Sequence, residues 1–170
     1  METFEAVRTL LAVREYQDRS VSDEVISRVL EAGRLTGSSR NRQPWHFVVV
    51  REREALRQIA QHAVTGAYIA QAAFAIAILV PPSGQGPMDA GRAGQDMALV
   101  AWEMGLGSNF VTNVDTPEIR QILGVPDGLA VQVILPFGYP ARKLGRGHKQ
   151  RKPLREIAHR ERFGLPWTAD

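Results

Sequence analysis

Residues 37–50 read Gly-Ser-Ser-Arg-Asn-Arg-Gln-Pro-Trp-His-Phe-Val-Val-Val, a polar loop that runs directly into an apolar, β-branched stretch. Residues 45–50 are typical of a buried strand, because aromatic and β-branched side chains suit a covered sheet. The preceding residues 38–43 place two hydroxyls, one Asn, one Gln and two Arg beside that strand. This pattern predicts directed hydrogen-bonding groups on a rigid support, although many such loops only connect a helix to a strand.

Apolar periodicity on either side of this stretch predicts helices interleaved with strands. Such interleaving indicates an α/β or α+β protein with a covered sheet, and 170 residues suit a single domain over 1–170. The predicted helices are 3–13, a helix that opens at Ser22 and whose end is bracketed by Gly33 and Gly37, 52–62, 89–104, and one from Thr116 to near Gly124. The predicted strands are 45–50, 74–80, a short strand near 109–112, and 129–135.

The C-terminal segment 141–170 differs from the rest of the chain. Residues 142–162 carry nine Lys or Arg and two Glu, so this part is strongly basic while the remainder of a chain of net charge +3 is acidic. The segment has little apolar content before Phe163 and Trp167, so it lacks a core of its own, and a second subunit is a plausible surface for it to pack on. Its charge also fits a solvated tail, or binding to nucleic acid, a membrane surface or a phosphorylated ligand.

Several function classes have no support in the sequence. Cysteine is absent, which removes disulfides, thiolate metal sites and cysteine nucleophiles and fits a cytoplasmic protein. The four His show no metal-ligand spacing and no serine-hydrolase motif is present, so no metal site is expected. The longest apolar run, 72–80, is too short to span a bilayer, and the first residues do not resemble a signal peptide, so no membrane association is expected.

Three further features could bind a ligand. Lys149 and Arg151 lie two apart, so an extended backbone would point both at one phosphate. Arg14 falls at the end of the first predicted helix, where the helix dipole alone can explain a cation, and where it can also clamp a phosphate. Residues 105–109, Gly-Leu-Gly-Ser-Asn, follow a helix, so they either cap it or let the backbone approach a planar ligand.

Four of these segments, in order, resemble motifs of the nitroreductase family of flavoproteins. The motif in 37–45 is the most specific, because it resembles the PSxxNxQPW loop of the family. Residues 13–16 resemble the end of an RRSxRxF motif, Gln95 with 105–108 resembles QNxxLAAxxLGLGS, and 137–140 followed by 149–154 resembles GxP…KxRxPL.

The resemblance implies an α+β fold with a mixed central sheet flanked by helices, an intertwined homodimer, and one FMN in each of two clefts at the subunit interface. It implies that Gly107 and Ser108 lie along the isoalloxazine from the other subunit. Carried over by position, Arg14, Lys149 and Arg151 would hold the phosphate, and Ser38, Ser39, Asn41 and Gln43 would contact the ribityl chain and ring.

The chain departs from the family at Leu10, Leu11 and Ala12, which stand where the family has its first Arg and its Ser. We hypothesise that Arg40 and Arg42 supply replacement charge in the binding loop. The chain is also short for the family, which implies an open pocket.

The function implied is transfer of hydride from NAD(P)H through FMN to small-molecule acceptors such as nitroaromatics or quinones, in two successive steps. No side chain is assigned as catalytic, because the flavin carries the chemistry. Alternatives are a non-catalytic flavin-binding or flavin-storage protein, and a flavoprotein that dehalogenates or consumes its flavin. A nucleic-acid binder is disfavoured, since the basic segment has few interleaved aromatic residues.

Overall fold

The computed structural model describes residues 2–144 and 149–167. Within them the α-helices are α1 (Thr3–Thr9), α2 (Asp23–Leu35), α3 (Arg53–His62), α4 (Gly86–Glu103), α5 (Pro117–Leu123) and α6 (Leu154–Ile157). The strands are β1 (His46–Val50), β2 (Phe74–Val80), β3 (Gly107–Ser108) and β4 (Ala130–Gly138), and 3₁₀ turns occupy Ser39–Asn41 and Ala67–Gln71.

The four strands form one sheet in the order β1-β2-β4-β3, with antiparallel pairing throughout its ladders. The expected α+β architecture, a central sheet flanked by helices, is confirmed. Where a mixed sheet was expected, the parallel component among the described residues is a single isolated bridge between Ala12 and Ser108.

Strand β2 lies at the centre of the core and is buried along its whole length. Because side chains alternate across a strand, Phe74, Ile76 and Ile78 pack with α2 and α4, whereas Ala75 and Ala77 face α3 and α5. The continuous apolar run predicted for 74–80 therefore reflects a sheet covered on both faces. Helix α4 is fixed against one of these faces, which makes it a rigid platform for the residues at its surface.

Helix α1 ends at Thr9, four residues before the predicted end, so that prediction is wrong in length. Leu10 has an extended conformation, with φ −51° and ψ 124°. The chain then pairs with β3: Ala12 bridges to Ser108, and the Val13 N–H donates to the Ser108 carbonyl at 2.9 Å. Pairing with the sheet overrides the helical spacing of the apolar residues, as tertiary contacts often do.

The short strand predicted near 109–112 lies two residues earlier, at Gly107–Ser108. Val111 still exchanges backbone hydrogen bonds with Ile134 of β4, at 2.9 and 3.0 Å. The apolar pattern thus identified the right segment. It did not reveal that pairing is interrupted between Ser108 and Val111.

The C-terminal residues form α6 and a small hairpin, 158–167. Its backbone bonds join Arg160 N–H to the Leu165 carbonyl at 2.7 Å and Trp167 N–H to the Ala158 carbonyl at 2.9 Å. Phe163, near the tip, is 93% exposed. Residues 145–148 and 168–170 of the predicted C-terminal segment lie outside the described residues. No helix among the described residues combines the length and apolar character needed to cross a bilayer.

Candidate functional site

A cleft of about 730 Å³ opens beside α1, in the size range typical of small-molecule sites. One wall is the end of α1 with the extended chain that follows, and another is the surface of α4. Its lining residues are Val7, Arg8, Leu10, Leu11, Ala12, Gln95, Ala98, Ser108, Asn109, Phe110, Lys149 and Arg151.

Cations gather at this cleft. Lys149 Nζ donates to the Val7 carbonyl at 2.6 Å, and Arg151 Nη1 donates to the Gln150 carbonyl at 2.9 Å. Burial lowers the pKa of Lys149, and the neighbouring Arg151 lowers it further. Neither side chain forms an ion pair with a described residue, whereas Arg8 is held by the Glu5 carboxylate through two bonds of 2.8 Å. Lys149 and Arg151 are therefore available to an anion.

The other surface of the cleft is apolar. Leu10, Leu11 and Ala12, which replace the expected Arg and Ser, line it together with Ala98 and Phe110. A site with cations and an apolar wall suits a ligand that carries both a phosphate and a flat ring. Leu10, Leu11 and Ala12 thus give this wall an apolar surface where the family motif would place polar side chains.

Ser108 and Gly107 have different roles. Ser108 is buried and lines the same cleft as Lys149 and Arg151, within one chain, although the resemblance implied that it reaches the flavin from the other subunit. Gly107 does not line the cleft. A Cβ at position 107 would lie 2.4 to 2.7 Å from the side-chain carbons of Val13, so the glycine is required for packing.

The loop 38–43 does not line this cleft. Its groups bond to each other: the Ser38 hydroxyl accepts from Gln43 N–H at 2.8 Å, and Gln43 Nε2 donates to the Asn41 carbonyl at 3.3 Å. Ser38 and Ser39 are half-buried, while Arg40, Asn41, Arg42 and Gln43 are exposed. Gln43 borders a second cleft that contains Trp45 and Phe47.

Arg14 also lies apart from the cleft. Because α1 ends early, Arg14 stands in extended chain, so the helix dipole does not explain it. Its guanidinium is 5.9 Å from the centre of the Tyr68 ring, a cation–π distance, and it borders a small groove with residues 140–142 and Leu144. A single chain thus brings together Ser108, Lys149 and Arg151, and leaves Arg14 and the loop 38–43 elsewhere.

Arg8, Gln95 and Asn109 line the cleft but were not predicted as binding residues. Asn109 is fixed by its side chain, since Nδ2 donates to the Tyr68 hydroxyl at 2.6 Å. Its position directly after Gly107 and Ser108 was the available signal. Gln95 projects from α4 and belongs to one of the motifs quoted above. No group of three metal-ligating side chains occurs among residues 2–144 and 149–167.

The protein is thus an α+β protein with a sheet covered on both faces. Its cleft combines cations with an apolar wall, which suits a ligand that carries both a phosphate and an apolar ring. A model of the nitroreductase family matches residues 11–81 and 83–139. The chain belongs to this family, as the motifs indicated.

Individual relatives agree. A Methanothermobacter thermautotrophicus protein named "Putative NADH dehydrogenase/NAD(P)H nitroreductase" is 34% identical over 155 residues, covering 85% of this chain and 81% of the relative. The structure of an FMN-dependent nitroreductase from Clostridium difficile R20291 superposes with a TM-score of 0.86 at 26% identity, covering 95% of this chain and 100% of the other. A nitroreductase family protein from Clostridium difficile 630 gives 0.86 at 28% identity, covering 96% and 100%.

Proposed function

We propose that this protein is an FMN-dependent oxidoreductase that takes hydride from NAD(P)H and delivers it to a small-molecule acceptor. The observation that carries the proposal is the cleft, where Lys149, Arg151 and Ser108 face an apolar wall. Support for the cofactors comes from relatives, since one is named as FMN-dependent and another as an NAD(P)H nitroreductase.

The cleft fits FMN in size and chemistry. Its volume of about 730 Å³ exceeds what a ring and ribityl phosphate need. Lys149 and Arg151 bind the phosphate through charge-assisted hydrogen bonds. The wall formed by Leu10, Leu11 and Phe110 covers the ring and excludes water from it.

FMN held by Lys149, Arg151 and the apolar wall would supply hydride transfer between the nicotinamide and a second substrate that binds in turn at the same site. The protein needs no nucleophile for this exchange, and its residues bind and orient. Ser108 and Asn109 offer polar groups at the cleft, and Asn109 is held in place by Tyr68. Nitroaromatics and quinones are suitable acceptors, because flat electron-poor rings stack in a broad cleft without specific contacts.

The remaining binding residues reach the cofactor from a second copy of the chain. In this homodimer the loop 38–43 of one subunit closes the cleft of the other, so Ser38, Ser39, Asn41 and Gln43 contact the ribityl chain and ring. Arg40 and Arg42 add charge at the phosphate side. The loop's exposed polar groups, and its absence from the lining of the cleft that Lys149 borders, support this division.

The C-terminal segment packs on the partner in the same assembly. Leu154, Ile157 and Phe163 are 61%, 60% and 93% exposed, so α6 and the hairpin bury little of their apolar surface within one chain. A soluble protein rarely leaves such a series of apolar side chains in water. This segment also carries Lys149 and Arg151 at its start, which couples dimer formation to the cofactor site.

The test is the visible spectrum of the purified protein, followed by titration of the apoprotein with FMN. We expect a yellow protein whose flavin absorbance bleaches with NADH or NADPH and returns when a quinone or nitroaromatic is added. A flavin that binds but is not reduced by either nucleotide would favour the storage protein. A protein with no affinity for added FMN would refute both.

A further inference from the structure

Asp89 is the only charged side chain that is buried among the described residues, with 2% of its surface exposed. It lies in the first turns of α4, outside the cleft. Burying a carboxylate without strong partners costs free energy, so an unexplained buried Asp is a reason to look for a role.

Its polar neighbours are Ser39 in the loop 38–43 and Arg92 on the same helix. The Ser39 N–H points to Asp89 Oδ2 at 3.4 Å, which ties the first residue of the 3₁₀ turn to α4. Arg92, one turn later, lies 3.8 Å from Asp89 Oδ1. Arg92 also approaches Gly37 so closely that a Cβ at position 37 would lie 3.0 Å from Nη2. Asp89 and Arg92 of α4 thus contact the chain at Ser39 and Gly37, where the loop begins.

The loop needs such a support because its backbone is strained. Arg40, Asn41 and Gln43 have φ values of 52°, 54° and 48°, three of the five positive φ angles of non-glycine residues in the described chain. Residues held in this region cost about 1 kcal/mol or more each and persist only where surroundings fix them. The internal bonds of the loop join it to itself, whereas the Ser39–Asp89 contact joins it to the core.

Helix α4 is shared by both halves of the proposed site. Gln95 and Ala98 of this helix line the cleft, and Asp89 holds the loop two turns earlier. We infer that Asp89 is the positioning residue that holds the loop 38–43 in the conformation that binds FMN in the partner's cleft. This inference rests on the proposed function. Asp89 acts through the Ser39 backbone and touches neither cofactor nor substrate.

The test compares Asp89→Ala and Asp89→Asn with a matched control, Asp115→Asn. Asparagine keeps an oxygen that accepts from Ser39 N–H, whereas alanine does not. Asp115 accepts from Val131 N–H at 2.9 Å and from Arg120 at 3.0 Å, so asparagine there keeps an acceptor but removes the charge that pairs with Arg120, which weakens the fold outside the loop 38–43. Asp89→Leu is made alongside, because an apolar side chain of similar size is tolerated at a buried position.

Two measurements are made on each dimeric protein. FMN titration of the apoprotein is expected to give a Kd raised about tenfold in Asp89→Ala and Asp89→Leu, and within about threefold of wild type in Asp89→Asn. Trypsin digestion without flavin reports the loop directly, because Arg40 and Arg42 lie in it. Cleavage after these residues is expected to be faster in Asp89→Ala and Asp89→Leu, and unchanged in Asp115→Asn.

The inference is overturned if both variants that lack the acceptor bind FMN as wild type does, or if Asp115→Asn raises the Kd and the loop cleavage to the same extent. A wild-type protein that binds no FMN would refute the proposed function and with it this inference. Trypsin would still show in that case whether Asp89 holds the loop, so the two failures are distinguishable.

Discussion

At position 107 the backbone lies so close to Val13 that a methyl group has no room. We predict that Gly107→Ala lowers the free energy of unfolding by about 1 to 3 kcal/mol, as overpacking of a core does. Val13→Ala in the same chain should restore only part of the loss, because it removes the two Cγ carbons at 2.4 and 2.7 Å and keeps the Cβ at 2.5 Å. Urea unfolding of both single variants and the double variant measures this. Additive losses in the double variant would show that Gly107 is required for another reason.

Lys149 gives the cofactor site a dependence on pH. Burial and Arg151 lower its pKa in the free protein, and a bound phosphate raises it, because the anion favours the charged amine. Affinity for FMN should therefore be full below the free-protein pKa and fall as pH rises from there towards the pKa of the complex. FMN titrations across alkaline pH measure this.

Two variants serve as controls for that prediction. Lys149→Arg should remove the alkaline decline, because arginine stays charged. Lys149→Met should weaken binding about tenfold where the wild-type lysine is charged, the usual effect of losing a charge-assisted hydrogen bond, and the difference from wild type should shrink as rising pH removes the proton of that lysine. An alkaline decline that persists in Lys149→Arg would mean that another group titrates.

At the scale of elements, much of the fold is predictable because apolar side chains have to be buried away from water. The run 74–80 has to be a covered strand, since both of its faces are apolar, and the structure confirms its bounds. Thr116 and Pro117 mark the start of α5, where the Thr116 hydroxyl accepts from Ile119 N–H at 3.3 Å. Such signals are local, so a single sequence contains them.

What could not be predicted depends on contacts distant in sequence. The end of α1 is set by pairing of residues 12 and 13 with Ser108, which apolar spacing alone does not reveal. The motif residues of the site were recognisable, yet their division between the cleft and the loop 38–43 follows from the folding of the chain. Nothing in the sequence indicates that Asp89 is buried, because an acidic residue on a helix is ordinarily exposed.

The loop 38–43 has a testable role as an element. Arg42 is exposed and forms no ion pair with a described residue. We predict that Arg42→Ala raises the Kd for FMN about two- to fivefold, the effect of an exposed charge pair. Arg34→Ala is the control, because Arg34 is an exposed arginine on α2 already paired with Glu31 at 2.6 Å. Equal affinity in wild type and Arg42→Ala would remove support for a replacement charge.

At the scale of the whole molecule, the separation of loop and cleft predicts complementation between subunits. One variant carries Lys149→Met and Arg151→Met in the cleft, and the other carries Asn41→Ala and Arg42→Ala in the loop. A mixed dimer, isolated with two different tags, should contain one intact site and one with both defects. It should therefore bind one FMN with wild-type affinity.

The stoichiometry and affinity of FMN binding to the mixed dimer distinguish a loop that closes the partner's cleft from a loop that closes the cleft of its own chain. If each loop served its own cleft, every site in the mixed dimer would retain one defect, and no FMN would bind with wild-type affinity. The unmixed variants give the reference affinities, since each has the same defect in both sites. The measurement thus assigns the loop to a subunit without depending on catalysis.

The exposed hairpin 158–167 has a consequence for how the protein must be handled. In the proposed homodimer the partner covers Phe163, so a chain that has not yet met its partner presents this aromatic side chain, 93% exposed, to any apolar surface. Dilution prolongs that stage, so yield and shelf life should improve in concentrated stocks, where encounters with a sister chain outpace adsorption to tubes and unrelated proteins.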